Sequence, residues 1–455
     1  MHCCRTSQRE PSAAGWPGET GLLATPTGGN SAIIPPFAST HRFEHMSRRI
    51  LYIAPAIPTL TCTFIYREIF DLRDLGFQID TVSMNTPTPD RVSEAAQPLM
   101  RTTLFLDQVP EWRKFHACIK ALILHPISMI RCLRLFVTAS PMKSFRDYRR
   151  LGYHWIEACY LAFRIKNSKP DHIHSHFITG ATSISMFLSE LIQVPFSFTM
   201  HASAIWIDPI ALRTKLRQCK FCVSISEYNK TYVLQTYGEE WRSKFNIVHC
   251  GIVLPEAARQ HTRAPKNAQS GPVQVLAVGQ LMKRKGYDIL IEAARLLRDK
   301  KVDVTWVIVG EGNQRPVIEE LITRYHLQET VTMAGAQPHE KIPDFLAAAD
   351  IFTLPCVIGD DNTRDGIPVS LMEAMAWQLP VVSTNIVGLP ELIDSGRDGI
   401  LVQAGDGAAL AKAIEELASS EDLRRRLGRS GLEKVERDFN ATRSAKQLGT
   451  LFAGN

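Results

Sequence analysis

The chain has 455 residues, too many for one ordinary hydrophobic core, and about 100–200 residues per domain divides it into two or three. Its 45% hydrophobic and 22% charged residues fit a folded globular protein, and no apolar run reaches the ~18–20 residues of a membrane-spanning helix. A net charge of +6 spread over this length tolerates anionic ligands and membrane surfaces but does not mark a nucleic-acid binder.

Residues 1–45 are rich in Pro, Gly, Ser and Thr, lack periodicity and read as a disordered leader. No apolar stretch follows a basic start there, so a secretory signal is not expected, and Met46 is a candidate for the native start. From Ile50 the chain alternates short β-rich runs with helical ones. A strand over Ile50–Ala54 precedes a helix over Phe64–Leu75, closed by Gly76, and a strand over Phe77–Ser83. Further strands are predicted at His172–His174, Phe196–Met200, Phe221–Ser224 and Asn246–His249. Residues 256–271 lose apolar periodicity and read as a linker between a first domain, 46–255, and a second, 272–435. In the second domain, strands are predicted at Val273–Val278, Val304–Val309, Val331–Met333, Ile351–Leu354, Pro380–Ser383 and Ile400–Val402. Helices over Tyr287–Leu297 and Pro316–Tyr325 alternate with them, and a helix within 436–455 closes the chain. Such alternation specifies two Rossmann-like, doubly wound parallel sheets facing a cleft, with ligands bound outside the carboxyl ends of the strands.

Two segments carry the strongest chemical signal. In Arg364-Asp-Gly-Ile-Pro-Val-Ser-Leu-Met-Glu-Ala-Met375, a Gly-Ile-Pro turn opens a helix between Asp365 and Glu373. Backbone N–H groups of Ile367, Val369 and Ser370 then face a phosphate, while Glu373 reaches ribose hydroxyls and Asp365 sits where a sugar would lie. An acidic cap followed by a solvated glutamate is the plainer reading of this segment taken alone. The second, Val278-Gly-Gln-Leu-Met-Lys-Arg-Lys-Gly286, places a basic loop between strand and helix, where lysines neutralise a diphosphate without a metal. Gly279 and Gly310 permit close backbone approach, but Val309-Gly-Glu-Gly312 lacks the third glycine of a dinucleotide fingerprint.

Other features are weaker. Cys219 and Cys222 have metal-ligand spacing without a partner pair, and read as core thiols of a reduced, cytoplasmic protein. His172, His174 and His176 share one strand face, with no carboxylate partner evident, and Asp360-Asp361 reads as a solvated loop, so no metal site is assigned. The stretch Cys118–Ser140, broken by His125-Pro126, is either a core-facing helical insert or a basic interfacial helix resting on an anionic membrane.

Together these segments resemble glycosyltransferase family 4, closest to its bacterial exopolysaccharide and colanic-acid-type branch. The resemblance runs from about Ile50 to near the C-terminus. It rests on Pro58–Glu68, His174-Ser-His-Phe177, Phe198-Thr-Met-His-Ala202, Val248-His-Cys-Gly251, Val278–Gly286, Val309–Gly312, Gly335-Ala336, Asp365–Glu373, Gly388-Leu-Pro-Glu391 and Asp398–Val402. It implies the GT-B fold and retaining transfer of a hexose-type sugar from a nucleotide-diphosphate donor, usually without a metal and with no cofactor beyond that co-substrate. It further implies a glycan or polyprenyl-linked oligosaccharide acceptor, no nucleic-acid partner, and a cytoplasmic enzyme peripheral to the inner membrane face if 118–140 docks there. Lys285 is then expected on the diphosphate with Gly279, Gln280 and Gly310 around it, Glu373 on the ribose, and His201 and Asp365 at the sugar. Thr61, Cys62, Thr63 and Phe64 form the acceptor-side loop.

The sequence departs from the family at three places. Gln280 replaces an arginine, Cys62 falls where the branch has a glutamate, and Ala204 replaces an acidic residue three places after the cleft histidine. A nucleotide-sugar-binding scaffold without turnover is therefore the competing reading. An epimerase would bring extra acid–base carboxylates to the first domain, and none clusters there in the sequence.

Overall fold

In the first half of the chain, short runs of β-branched and aromatic residues pair side by side into one parallel sheet. A computed structural model describes residues 48–59, 62–88, 92, 94–201, 205–206, 209–260 and 271–454. The leader expected over 1–45 lies outside them. The first sheet consists of β1 (Arg49–Ala54), β2 (Gln78–Ser83), β3 (Leu104–Phe105), β4 (His172–His176), β5 (Phe196–Met200), β6 (Phe221–Ser224) and β7 (Phe245–Ile247), in the order β3-β2-β1-β4-β5-β6-β7. The second consists of β8 (Val273–Val278), β9 (Val304–Val309), β10 (Val331–Gly335), β11 (Ile351–Thr353), β12 (Val381–Thr384) and β13 (Ile400–Val402), in the order β10-β9-β8-β11-β12-β13. Strand order reverses at β1/β4 and at β8/β11, where such sheets open a crevice beyond their carboxyl ends.

β4, β5 and β6 are buried throughout because helices cover both faces. The helix α1 (Thr63–Asp74) buries Ile65, Tyr66, Ile69 and Leu72, and it stops where Gly76 adopts φ +95°, as the sequence predicts. Both sheets belong to one compact unit. The chain passes between them twice at one place, where Ile252 N–H donates to Phe439 O (2.8 Å) and Ala441 N–H donates to Ile252 O (3.0 Å). A Cβ on Gly251 would strike the Ala441 backbone, so the two crossings pack without a side chain between them.

Three details differ from the sequence reading. Within the expected linker, Glu256–Gln260 form a short helix, while 261–270 lie outside the described residues. The 118–140 stretch is the middle of a hairpin made by α2 (Glu111–Leu124) and α3 (Pro126–Val137), which Pro126 separates. Only part of it is core-facing: α3 buries Met129, Cys132 and Leu135 in the first-half core, whereas α2 buries Lys114, Ala117 and Ala121 and leaves Trp112, Phe115, Ile119 and Ile123 exposed. It packs on α4 (Phe145–Arg164), opened by a Ser144/Asp147 capping box, which in turn packs on α5 (Gly180–Ile192).

Candidate active site

The carboxyl ends of β8, β9 and β10 are laced backbone to backbone. Gly279 N–H donates to Val309 O (3.0 Å), Gly310 N–H donates to Gly335 O (2.8 Å), and Tyr287 OH donates to Gly279 O (2.9 Å). Gly310 has φ +148°, a conformation almost reserved for glycine, and a Cβ there would collide with the Gly279 carbonyl oxygen. Gln280, beside Gly279, projects into solvent. The loop that follows makes one turn over Lys283–Lys285 before α6 (Tyr287–Asp299) begins.

Each cation of that loop has a carboxylate. Lys283 pairs with Asp288 (2.6 Å), whereas Arg284 Nε and Lys285 Nζ both hold Asp365, each at 2.8 Å. Burial pushes the Asp365 carboxyl up, but Lys285 and then Arg284 outweigh it and keep it below the usual carboxylate range. Asp365 precedes α7 (Val369–Ala376), whose cap is Pro368 rather than an acidic side chain, so the first-turn N–H groups around Val369 and Ser370 lack intrahelical acceptors. Ile367 stands just before them and packs against Gly388. Glu373 lies one turn into α7, where burial lifts its carboxyl to about 7 against the pull of Arg67 on α1.

At the end of β5 the first sheet presents His201. Its ring lies on those of Phe64 (4.8 Å between centroids), Phe177 (4.5 Å) and His176 (5.4 Å). A hydrogen-bonded chain runs away from it: His201 Nε2 to His176 Nδ1 (3.1 Å), His176 Nε2 to Glu68 Oε1 (3.1 Å), and Tyr52 OH to the same oxygen (2.8 Å). Glu68 can only accept, so His176 donates from Nε2 and accepts at Nδ1, and His201 donates from Nε2. The Nδ1 lone pair of His201 is left facing the Cys250 thiol (3.9 Å). Burial, then His176, hold His201 well below its ordinary range, so it is neutral.

The sequence reading found no carboxylate near the strand histidines, and the structure corrects this. Glu68, eight-tenths buried on α1, is separated from His176 by 108 positions, so no local spacing announces it. Ligand atoms of Glu68, His174 and His176 lie within 4.8 Å of one another, the geometry of a potential metal-binding group. Those donors are already engaged: His174 bonds Ser197 and Thr199 (2.8 and 3.0 Å), and His176 bridges Glu68 and His201. The arrangement fits a hydrogen-bond relay better than a metal centre. Cys219 and Cys222 are buried, and Asp361 bonds Thr363 in an exposed loop.

Cys62 caps α1, Thr63 begins it and Phe64 covers His201, while Thr61 and Ala204 lie outside the described residues. Among the described residues no hydrogen bond or ion pair joins His201 to Asp365 or Glu373; the two sets stand on opposite sheets. Contacts across the cleft come from motif residues to which the sequence assigns no role. Glu391 of the second half accepts from Glu227 N–H and Tyr228 N–H (both 2.8 Å), capping the helix Glu227–Tyr237 of the first, and bonds His249 (3.2 Å). Arg364 reaches Tyr228 OH (3.0 Å) and lies over the Trp206 ring. A Gly-Leu-Pro-Glu run reads locally as the first turn of a helix, which conceals that its carboxylate caps another one.

Two family models match the chain: Glycosyltransferase Family 4 over residues 63–255 and Glycosyl transferases group 1 over residues 258–434. The putative colanic acid biosynthesis glycosyltransferase WcaL of Escherichia coli (strain K12) is 34% identical over 211 residues, 46% of this chain and 51% of that protein. The amylovoran biosynthesis glycosyltransferase AmsK of Erwinia amylovora is 35% identical over 208 residues, 46% of this chain and 50% of that protein. The chain thus spans about half the length of these curated relatives. A sucrose-phosphate synthase from Thermosynechococcus elongatus superposes with a TM-score of 0.66 at 18% identity, over 90% of this chain and 99% of that one. At that identity the likeness speaks for the fold, which is GT-B.

Proposed function

Because the chain belongs to the family 4 and group 1 glycosyltransferases, we propose that it is a retaining glycosyltransferase of exopolysaccharide or other cell-surface polysaccharide assembly. It moves a hexose-type sugar from a nucleotide-diphosphate donor to a glycan or lipid-linked acceptor. One observation carries this reading: Lys285 and Arg284 converge on Asp365 at the β8/β11 switch point, with Glu373 one helical turn beyond. The donor lies across that point. Its diphosphate approaches Lys285, the backbone at Gly279 and Gly310, and the N–H groups of Ile367, Val369 and Ser370, while Glu373 accepts from the ribose hydroxyls. Departure of the nucleotide diphosphate is helped by this positive field, and no metal is required for it.

The glycosyl centre gains positive character as that bond breaks. Asp365, kept anionic by its two cations, and neutral His201 supply the electron-rich surroundings such a centre needs. Closure about the double crossing at Ile252 and Asn440 brings Cys62–Phe64 and His201 over the donor. The acceptor then attacks from the face the leaving group vacates, and the donor phosphate takes its proton. Peripheral membrane contact through 118–140 belongs to the same reading, since the hairpin turns Ile119, Ile123 and Ile127 outwards. Among the described residues no helix is long and apolar enough to cross a membrane.

A thermal-shift series with UDP, GDP, ADP, dTDP and their sugar conjugates tests donor binding, because a ligand of the folded state raises the midpoint with its concentration over Kd. One nucleotide is expected to stand out, and its sugar conjugate to yield a product with the donor's anomeric configuration by NMR. An inverted product would defeat the retaining assignment, and absence of any shift would defeat the donor site. The exposed Gln280, where the family has an arginine, favours a second reading as a donor-binding scaffold, and a large shift without turnover over a broad acceptor panel would select it.

A further inference from the structure

The first helix of the hairpin α2–α3 is built inside out, while α3 buries Met129, Cys132 and Leu135. The α2 helix turns small Ala117 and Ala121 towards the protein and large apolar side chains towards solvent. Behind it lies a cavity of about 410 Å³, bounded by the end of α2, the start of α3 and the last turns of α4 and α5. The volume falls in the range of about 300–1,000 Å³ in which small-molecule sites occur. Its floor, with Ala117, Ala121, Cys159 and Leu191, is apolar and buried.

The mouth is basic. Lys120, Lys166 and Lys169 line it, and the ammonium groups of Lys120 and Lys166 stand over one Phe163 ring, 4.9 and 5.1 Å from its centroid. Among the described residues none of these three lysines pairs with a carboxylate. Cations held at one ring without a carboxylate leave positive charge at the mouth, which an anion seated there would offset. The mouth is continuous with the exposed apolar face, because Lys120 follows Ile119 and the lining reaches Leu124. A second copy of the chain would bring the same basic mouth to the contact and supplies no anion of its own from these residues.

We infer that this cavity seats the phosphate and upper acyl carbons of an anionic phospholipid drawn from the membrane on which the hairpin rests. The apolar floor takes the acyl carbons and the three lysines take the phosphate, so the site selects charge as well as hydrophobicity. This inference rests on the membrane reading of the hairpin but not on the transfer reaction.

Isothermal titration of the full chain with dihexanoyl phosphatidylglycerol and dihexanoyl phosphatidylcholine, both below their micelle concentrations, tests it. Saturable one-to-one binding of the glycerol lipid alone is expected. K120Q/K166Q/K169Q should weaken it on the order of a hundred-fold, from about five-fold per lysine. Ala162→Trp, which fills the cavity and leaves every charge in place, should abolish it while co-sedimentation with phosphatidylglycerol vesicles persists. Equal binding of the choline lipid, wild-type binding by Ala162→Trp, or equal competition by inorganic phosphate would overturn the inference. If the chain sediments with vesicles but takes up no short-chain lipid, the cavity assignment falls and the membrane reading stands. If I123S/I127S instead splits a dimer and the wild type ignores vesicles, both fall. Transfer to a water-soluble acceptor should be unchanged in all these variants, which separates either failure from that of the transferase reading.

Discussion

Removing the carboxylate of Glu68 should release the tautomer of a histidine it never touches. Glu68 accepts from Tyr52 OH and His176 Nε2 through one oxygen, and that fixes His201 with its proton on Nε2. In Glu68→Gln the amide oxygen can take the place of that carboxylate oxygen, so both tautomers are kept through neutral bonds; in Glu68→Ala nothing accepts from His176 Nε2, and His176 no longer holds His201 to its Nε2–H form. Exchanging charge-assisted bonds for neutral ones costs about 1–2 kcal/mol, and Glu68→Ala, which strands two buried donors, on the order of 4 kcal/mol. The imidazole nitrogen shifts of His201 report its tautomer directly, and urea unfolding reports the energies. If His201 stabilises the glycosyl centre, Glu68→Ala should lower kcat about tenfold per 1.4 kcal/mol lost in the transition state, with little change in donor KM, and E68Q should lower it less. A His201 still held to Nε2–H in Glu68→Ala, or wild-type stability in that variant, would refute the relay.

Four further outcomes are expected. Burial lifts Glu373 to about 7, and ribose hydroxyls bind its ionised form, so donor KM should rise as pH falls through about 7 and lose that dependence in Glu373→Ala. Gly310→Ala forces a side chain into φ +148° against the Gly279 carbonyl and should cost at least about 2 kcal/mol in urea unfolding. For Glu391, burial raises the carboxyl but the bonds from His249 and the Tyr228 and Glu227 N–H groups lower it further, so its stabilisation is present above the unfolded pKa and fades in acid. Glu391→Gln should therefore destabilise the chain by about 1–2 kcal/mol at neutral pH and progressively less below about pH 4. Burial holds His154 and His172 to about 3, and keeps His174 and His201 well below 6.5. Their neutral state stabilises the fold above the unfolded pKa, so calorimetric stability should drop as pH falls below about 6.5, by up to about 1.4 kcal/mol per unit for each group.

Much of the architecture is written in local pattern. Phe196–Met200 and Val273–Val278 match their strands to the residue, because short, mostly apolar runs rich in aromatic or β-branched residues fit a sheet covered on both faces. The clustering of glycines and cations in Val278–Gly286 was likewise legible, since they fall within a few residues of one another. What stayed hidden is what the fold assembles from afar. Arg284 and Asp365 meet across 81 positions, Glu68 and His176 across 108, and Glu391 and Tyr228 across 163. The hairpin was ambiguous for a different reason. An apolar helix has the same periodicity whether its large side chains face inwards or outwards, and only the placement of Ala117 and Ala121 against α4 decides between them.

The helix Ala441–Ala453 has a consequence for synthesis. Its Phe452 ring lies among Tyr52, His172, His174 and Phe221, and Arg48 bonds its carbonyl oxygen (2.6 Å) across 404 positions. A ribosome adding about 5–20 residues per second takes on the order of tens of seconds to cover that distance. In the second half of that interval, from Ile247 at the end of β7 onwards, the first sheet is complete in strands but bare on one flank, with Tyr52 and Phe77 awaiting a partner still unmade. The nascent first domain thus exposes that flank until the helix Ala441–Ala453 is made, and a chain cut before this helix would expose it permanently.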